Sequence, residues 1–235
     1  MDLLARLAAE PRLAGLFLDV DGVLAPIVPR PEDARVPEET RSELRRLNER
    51  YALVACISGR AGADAQRVVG LPELTYVGNH GLELVPEADE WRTRLDALLR
   101  AIAWPYLEDK GLTAALHYRG VASEDVARAE LETIAESARS AGFVTRFGRK
   151  VLEIVPPIRA DKGTAVRSLL ERHGLGIALA SGDDTTDLDA FRALDGLKLA
   201  VRVAVVSDES PRGLREAADI VVADPEEFRA LLRRL

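Results

Sequence analysis

Leu16-Phe17-Leu18-Asp19-Val20-Asp21-Gly22 decides how the chain is read, because an apolar run ends there on two acids and a glycine. Ligands of open α/β sheets sit beyond the carboxyl ends of the strands. Asp19 and Asp21 are therefore expected to face such a crevice, with one carboxylate at a reaction centre and one beside a leaving group. Gly22 permits a sharp exit from the strand. Two acids beside a glycine are also ordinary turn chemistry, so the motif needs company.

Further apolar runs lie at Leu53–Ile57, Leu74–Val77, Ile177–Ala180, Val203–Val206 and Ile220–Val222, with helical patterns between them. That alternation predicts an α/β fold with a Rossmann-like, doubly wound, mainly parallel sheet. A helix is expected over Glu38–Arg50, with Pro37 at its first position. Another should run from Asp161 to a stop at Gly174, and a last one should start from an N-cap at Asp224. Residues 85–158 read differently. Helices near 91–103 and 124–141 alternate with β-like stretches at 112–118 and 150–155, and Pro86 and Pro156-Pro157 bracket them. This predicts a smaller α+β domain inserted between core segments 1–84 and 159–235.

Three other segments sit where chemistry would be placed. Ser181-Gly182-Asp183-Asp184-Thr185-Thr186-Asp187 follows an apolar run. Carboxylates gathered from two strand ends repel each other unless a cation lies among them. An all-oxygen donor set suits Mg²⁺, which also bridges to phosphate. The plainer alternative is that Asp183 and Asp184 cap the helix running to Phe191. Ser58-Gly59-Arg60 ends the second run, where a hydroxyl and backbone N–H groups can receive a phosphate oxygen. Lys162 opens a helix, beside an N-terminus that favours anions.

Composition narrows the classes. The 235 residues include 47% hydrophobic and 30% charged residues, enough apolar surface for a core, and a net charge of −7 that argues against a nucleic-acid binder. No apolar stretch approaches the ~20 residues of a membrane span, and the first residues do not resemble a signal peptide. The single cysteine, Cys56, lies inside an apolar run and reads as a core residue; a reducing cytoplasm is the expected compartment.

Asp-x-Asp, Ser, Lys and Asp-Asp-x-x-Asp, in that order and at strand ends or helix starts, resemble the haloacid dehalogenase superfamily along the whole chain. The resemblance implies that Asp19 is a nucleophile and Asp21 a general acid and then base. It implies that Ser58 and Lys162 hold phosphate, and that Asp183 and Asp187 hold Mg²⁺ with Asp19 and the backbone carbonyl of Asp21. Asp184 is either a further ligand or a group behind the ligands. Val23 stands where many relatives carry threonine.

Gly78-Asn79-His80-Gly81-Leu82-Glu83, Glu108-Asp109-Lys110, His117-Tyr118-Arg119 and Val151-Leu152-Glu153 resemble the trehalose-6-phosphate phosphatase family. That implies a cap domain in which Glu108, Lys110, Glu153 and, as a further candidate, His117 bind sugar hydroxyls, with Arg60 and His80 near the seam between core and cap. The implied reaction is Mg²⁺-dependent hydrolysis of a sugar phosphate, with a trehalose-phosphate synthase as a candidate partner and a monomer or weak oligomer as the expected state. The alternatives are a phosphatase for another sugar phosphate, such as sucrose phosphate or a glycosyl-glycerol or glycerate phosphate. A phosphomutase and a non-catalytic regulatory relative bound to a synthase are the others.

Overall fold

Successive residues of the central strands point into two different hydrophobic cores, one on each face of the main sheet. The computed structural model describes residues 2–148, 150–207 and 210–235. The chain divides into two compact units, one running through Leu84 and resuming over Ala160–Leu235, the other spanning Val85–Arg159.

The larger unit begins with α1 (Leu3–Ala9), β1 (Ala14–Leu18), α2 (Glu38–Arg50), β2 (Leu53–Ile57), α3 (Gly62–Val69) and β3 (Thr75–Val77). The smaller unit holds α4 (Ala88–Leu99), β4 (Leu107–Asp109), β5 (Ala114–His117), α5 (Glu124–Ser140), β6 (Val144–Phe147) and β7 (Val151–Val155). The larger unit then resumes with α6 (Lys162–His173), β8 (Ile177–Gly182), α7 (Asp187–Arg192), β9 (Leu199–Val205), α8 (Arg212–Ala217), β10 (Ile220–Val222) and α9 (Pro225–Leu232).

The main sheet has the order β10-β9-β8-β1-β2-β3, and every neighbouring pair is parallel. Leu16, Leu18, Val54, Cys56, Ile177 and Leu179 face one core with residues of α1, α2, α3 and α9. Phe17, Ala55, Ile57, Ala178 and Ala180 face the other with residues of α6, α7 and α8. A strand buried on both sides reads as a continuous apolar run, which is why these strands are visible in the sequence. The chain winds outward from β1 to β3, then returns to β8 on the other side of β1. The order therefore reverses between β1 and β8, and their carboxyl ends are where Asp19 and Asp183 lie.

Several local expectations hold. Asp161 caps α6 in a reciprocal capping box with Thr164, and Gly174 closes that helix at φ 61°. Asp224 accepts from the N–H groups of both Glu226 and Glu227 at the start of α9. Pro37 is the residue before α2 rather than its first member. The run expected at Val203–Val206 is a longer strand, Leu199–Val205. Its first half alternates between the core residues Leu199 and Val201 and the half-buried Ala200 and Arg202, so it never reads as a block. Cys56 is fully buried, and burial first, then the charge of Asp19, pushes its thiol pKa up to about 12. Val23 is fully buried in the first core, where a threonine hydroxyl would need a partner.

The smaller unit is a four-stranded antiparallel sheet, β4-β5-β7-β6. Ala114, Leu116, Leu152 and Ile154 pack against Leu95 of α4 and Ala127, Leu131 and Ala135 of α5. Period-2 alternation then sends Glu108, Ala115, Glu153 and Arg146 to the opposite face. They sit side by side in register, Glu108 beside Ala115, Ala115 beside Glu153, and Glu153 beside Arg146. The two edge strands, β4 and β6, were not expected from the sequence. They are only three and four residues long and half-exposed, so they carry no long apolar signal.

Candidate active site

Lys162 is the first residue of α6 and is only 3% exposed, which leaves its ammonium no water to fall back on. It stands 2.9 Å from Asp19 Oδ1 and 2.7 Å from Asp187 Oδ1. Burial works against its charge, but the carboxylates of Asp19 and Asp187 outweigh burial and raise its pKa. Asp19 is also buried. Burial pushes its carboxyl well above the ordinary range, Lys162 pulls it down, and Asp187 and Asp183 push it up again. Burial, then the charge of Asp187, raises Asp183 to about 6.

Asp19, Asp183 and Asp187 each offer an oxygen, and these oxygens lie within 4.8 Å of one another. Three carboxylates against one ammonium leave two negative charges uncancelled, so the donor set fits a divalent cation. The backbone is shaped to bring the acids together. Gly22 has φ 74°, a left-handed conformation suited to glycine, and a Cβ there would lie 2.1 Å from Asp183 Oδ2. Gly182 likewise leaves room for Asp187, whose side chain a Cβ would meet at 2.1 Å.

Helix capping does not account for the second acidic cluster. Helix α7 starts at Asp187 after Thr186, whose side chain makes no capping bond. Asp187 Oδ2 instead accepts the N–H groups of Asp183 and Asp184, at 2.9 and 3.0 Å, which locks the loop while Oδ1 meets Lys162. Asp184 is exposed and accepts the Thr185 N–H at 2.6 Å, so it shapes the turn.

The Ser58-Gly59-Arg60 loop follows β2. Ser58 is buried, and its Oγ accepts the Arg60 N–H at 3.1 Å, which leaves the hydroxyl proton to be donated. Arg60 grips Asp21 with two parallel bonds, Nε to Oδ2 at 2.6 Å and Nη2 to Oδ1 at 2.8 Å, and reaches Asp64 of α3 at 2.7 Å. This is the bidentate fork that guanidinium and carboxylate geometry favours. The side-chain bonds of Arg60 thus run to Asp21 and Asp64. The His80 ring lies against Gly59, where a Cβ would sit 2.7 Å from it.

In the smaller unit, His117 Nε2 is 2.9 Å from Glu108 Oε2 and Lys110 Nζ is 3.6 Å from the same oxygen. Glu153 is half-buried two strands away on the same face. Sequence reasoning did not single out Asp64, which bonds Arg60, or Arg146, which lies beside Glu153 in register. Arg146 is visible only once the β6–β7 register is known.

The trehalose-phosphatase family model matches residues 17–219, which include every core motif described above. The chain belongs to the trehalose-phosphatase family. A trehalose 6-phosphate phosphatase of Zea mays is 31% identical, over 97% of this chain and 71% of its own length. The solved structure of a trehalose-6-phosphate phosphatase related protein superposes with a TM-score of 0.66 at 26% identity, covering 93% of this chain and 95% of that one. A haloacid dehalogenase-like hydrolase from Bacteroides thetaiotaomicron, at 18% identity, shares the fold with a TM-score of 0.59, covering 95% of this chain and all of that one, 100%. The family assignment thus agrees with the α/β fold, its parallel six-stranded sheet and its separate antiparallel sheet. No helix among the described residues is long and apolar enough to cross a membrane.

Proposed function

We propose that the protein hydrolyses trehalose 6-phosphate to trehalose and inorganic phosphate, with Mg²⁺ held by Asp19, Asp183, Asp187 and the backbone carbonyl of Asp21. The observation that carries the mechanism is the buried ammonium of Lys162 between Asp19 and Asp187. Family membership carries the substrate. Bound Mg²⁺ supplies positive charge that offsets the phosphoryl oxygens. Lys162 adds its own charge and the Ser58 hydroxyl donates a hydrogen bond, so that a carboxylate can approach an anionic ester. Asp19 attacks phosphorus and the sugar oxygen departs, taking a proton from Asp21. Asp21 then removes a proton from the water that releases phosphate from Asp19. Arg60 gives one N–H to each oxygen of Asp21, which orients that carboxylate and leaves each oxygen a further lone pair for the proton it carries to the sugar. Glu108, Lys110, Glu153 and His117 recognise sugar hydroxyls through charge-assisted hydrogen bonds.

Phosphate release from trehalose 6-phosphate, sucrose 6-phosphate and glucose 6-phosphate, with Mg²⁺ and with EDTA, tests the reading. Mg²⁺-dependent release strongly favouring trehalose 6-phosphate is expected. An even spread across the panel discards the substrate, and release unaffected by EDTA discards the metal.

Glu108→Ala is expected to raise KM for trehalose 6-phosphate roughly tenfold, the value of about one charge-assisted hydrogen bond. An unchanged KM removes Glu108 from the sugar site.

The raised carboxyl of Asp183 sets a pH dependence. Without metal, the folded protein holds a proton there between the ordinary value of 3.8 and about 6, where the unfolded chain has lost it, so this group withdraws stability as pH rises through that window. A cation needs the deprotonated form and regains that loss. The rise in melting temperature on adding Mg²⁺ should therefore be larger at about pH 7 than at about pH 5. Calorimetric scans giving equal rises would take Asp183 out of the ligand set.

A further inference from the structure

Glu83 stands next to Leu84, the last residue of the first core segment, and its carboxylate reaches back to two other loops. Oε1 accepts the Gly62 N–H at 2.8 Å and the Asn79 Nδ2–H at 3.1 Å, and Oε2 accepts the Gly78 N–H at 2.8 Å. Gly62 is the first residue of α3, and Ala61 before it has no side-chain acceptor, so Glu83 caps that helix from 21 residues away. Both glycines make way for it: a Cβ at Gly62 would lie 2.4 Å from Oε2, and one at Gly78 2.5 Å from Oε1.

The segments it joins carry the phosphate hydroxyl and the arginine that grips Asp21. Ser58 donates its N–H to Val77 O at 2.9 Å, Asn79 to Arg60 O at 2.8 Å, and His80 to Ser58 O at 2.9 Å. Asn79 and His80, which make two of these bonds, adopt left-handed backbone, φ 51° and 53°, a region uncommon for non-glycine residues. The charge on Glu83 strengthens each of the hydrogen bonds that fix this arrangement.

We infer that Glu83 is a positioning residue for the phosphatase reaction, holding the Ser58–Arg60 loop so that the Ser58 hydroxyl meets phosphate and Arg60 meets Asp21. The inference rests on the function proposed above. The Glu83 carboxylate is engaged by Gly62, Gly78 and Asn79, so its effect has to appear through Ser58 and Arg60.

The test compares Glu83→Gln with the wild-type enzyme. Glutamine keeps the size and one acceptor oxygen but turns an N–H₂ toward a backbone N–H. The expected result is a tenfold or greater fall in kcat/KM, a tenfold weaker inhibition constant for inorganic phosphate, and faster amide exchange at Gly62 and Gly78. A role confined to stability would lower the melting temperature and leave phosphate inhibition unchanged, and that outcome overturns the proposal. If Glu83→Gln does not fold, Gly62→Ala displaces the carboxylate without removing it and should weaken phosphate inhibition in the same way. A wild-type enzyme that releases no phosphate overturns the functional reading itself, whereas an active wild type beside a variant of equal phosphate affinity overturns only the role of Glu83.

Discussion

Asp19→Asn is expected to remove phosphate release from trehalose 6-phosphate by at least about 10,000-fold while leaving the protein folded. The asparagine amide fills the same space but cannot form the acyl phosphate, so the reaction loses its two-step route. Stability should not suffer, because the charge removed is one the fold holds at a disadvantage. Burial, Asp187 and Asp183 all oppose ionisation of Asp19, against the pull of Lys162. Lys162 also keeps its contact with Asp187 at 2.7 Å in the variant. In EDTA the melting temperature should therefore be unchanged or higher. Turnover above about one per cent of wild type, in protein shown to be folded by circular dichroism, would end the assignment of Asp19 as nucleophile.

Lys162→Met should behave in the opposite way on stability. Methionine matches the stem in length and keeps the packing of α6, but it leaves two buried carboxylates facing each other with no cation between them. Removing one partner of a buried ion pair typically costs about 3–5 kcal/mol. Activity is expected to fall by about 1,000-fold or more, since a preorganised charge on the phosphoryl oxygens is lost. Added Mg²⁺ should recover part of the stability by screening the carboxylates and little of the activity. Urea unfolding with and without Mg²⁺ checks the first half, and steady-state kinetics the second. A variant as stable as wild type in EDTA would mean that Asp19 and Asp187 simply take up protons at little expense. The two substitutions together separate the charge that performs the reaction from the charge that holds the site.

The same division appears between residues that the sequence reveals and those it hides. Asp19, Asp183 and Lys162 announce themselves because each follows a buried apolar strand or opens a capped helix, and strand and cap signals are local. Asp187 shows in the spacing of its motif, but not its double duty of bonding Lys162 and two backbone N–H groups. Arg60 was legible as a loop residue and illegible as the partner of Asp21, because 39 residues separate them and only the β1–β2 pairing brings the two loops together. Glu83 shows in the sequence only as the end of the Gly78–Glu83 segment, with no role until its contacts with Gly62 and Gly78 are seen.

The sequence alone therefore pointed to a mainly parallel sheet of buried strands, an inserted segment of different character, and the acids and lysine at strand ends and helix starts. Each depends on patterns no longer than a strand or a helical turn, where neighbours in sequence are neighbours in space. Tertiary structure decided which carboxylate meets which cation, which strand edges close the smaller sheet, and which glycines admit a distant side chain. Those depend on register and on the approach of segments far apart in the chain, and no local periodicity encodes them.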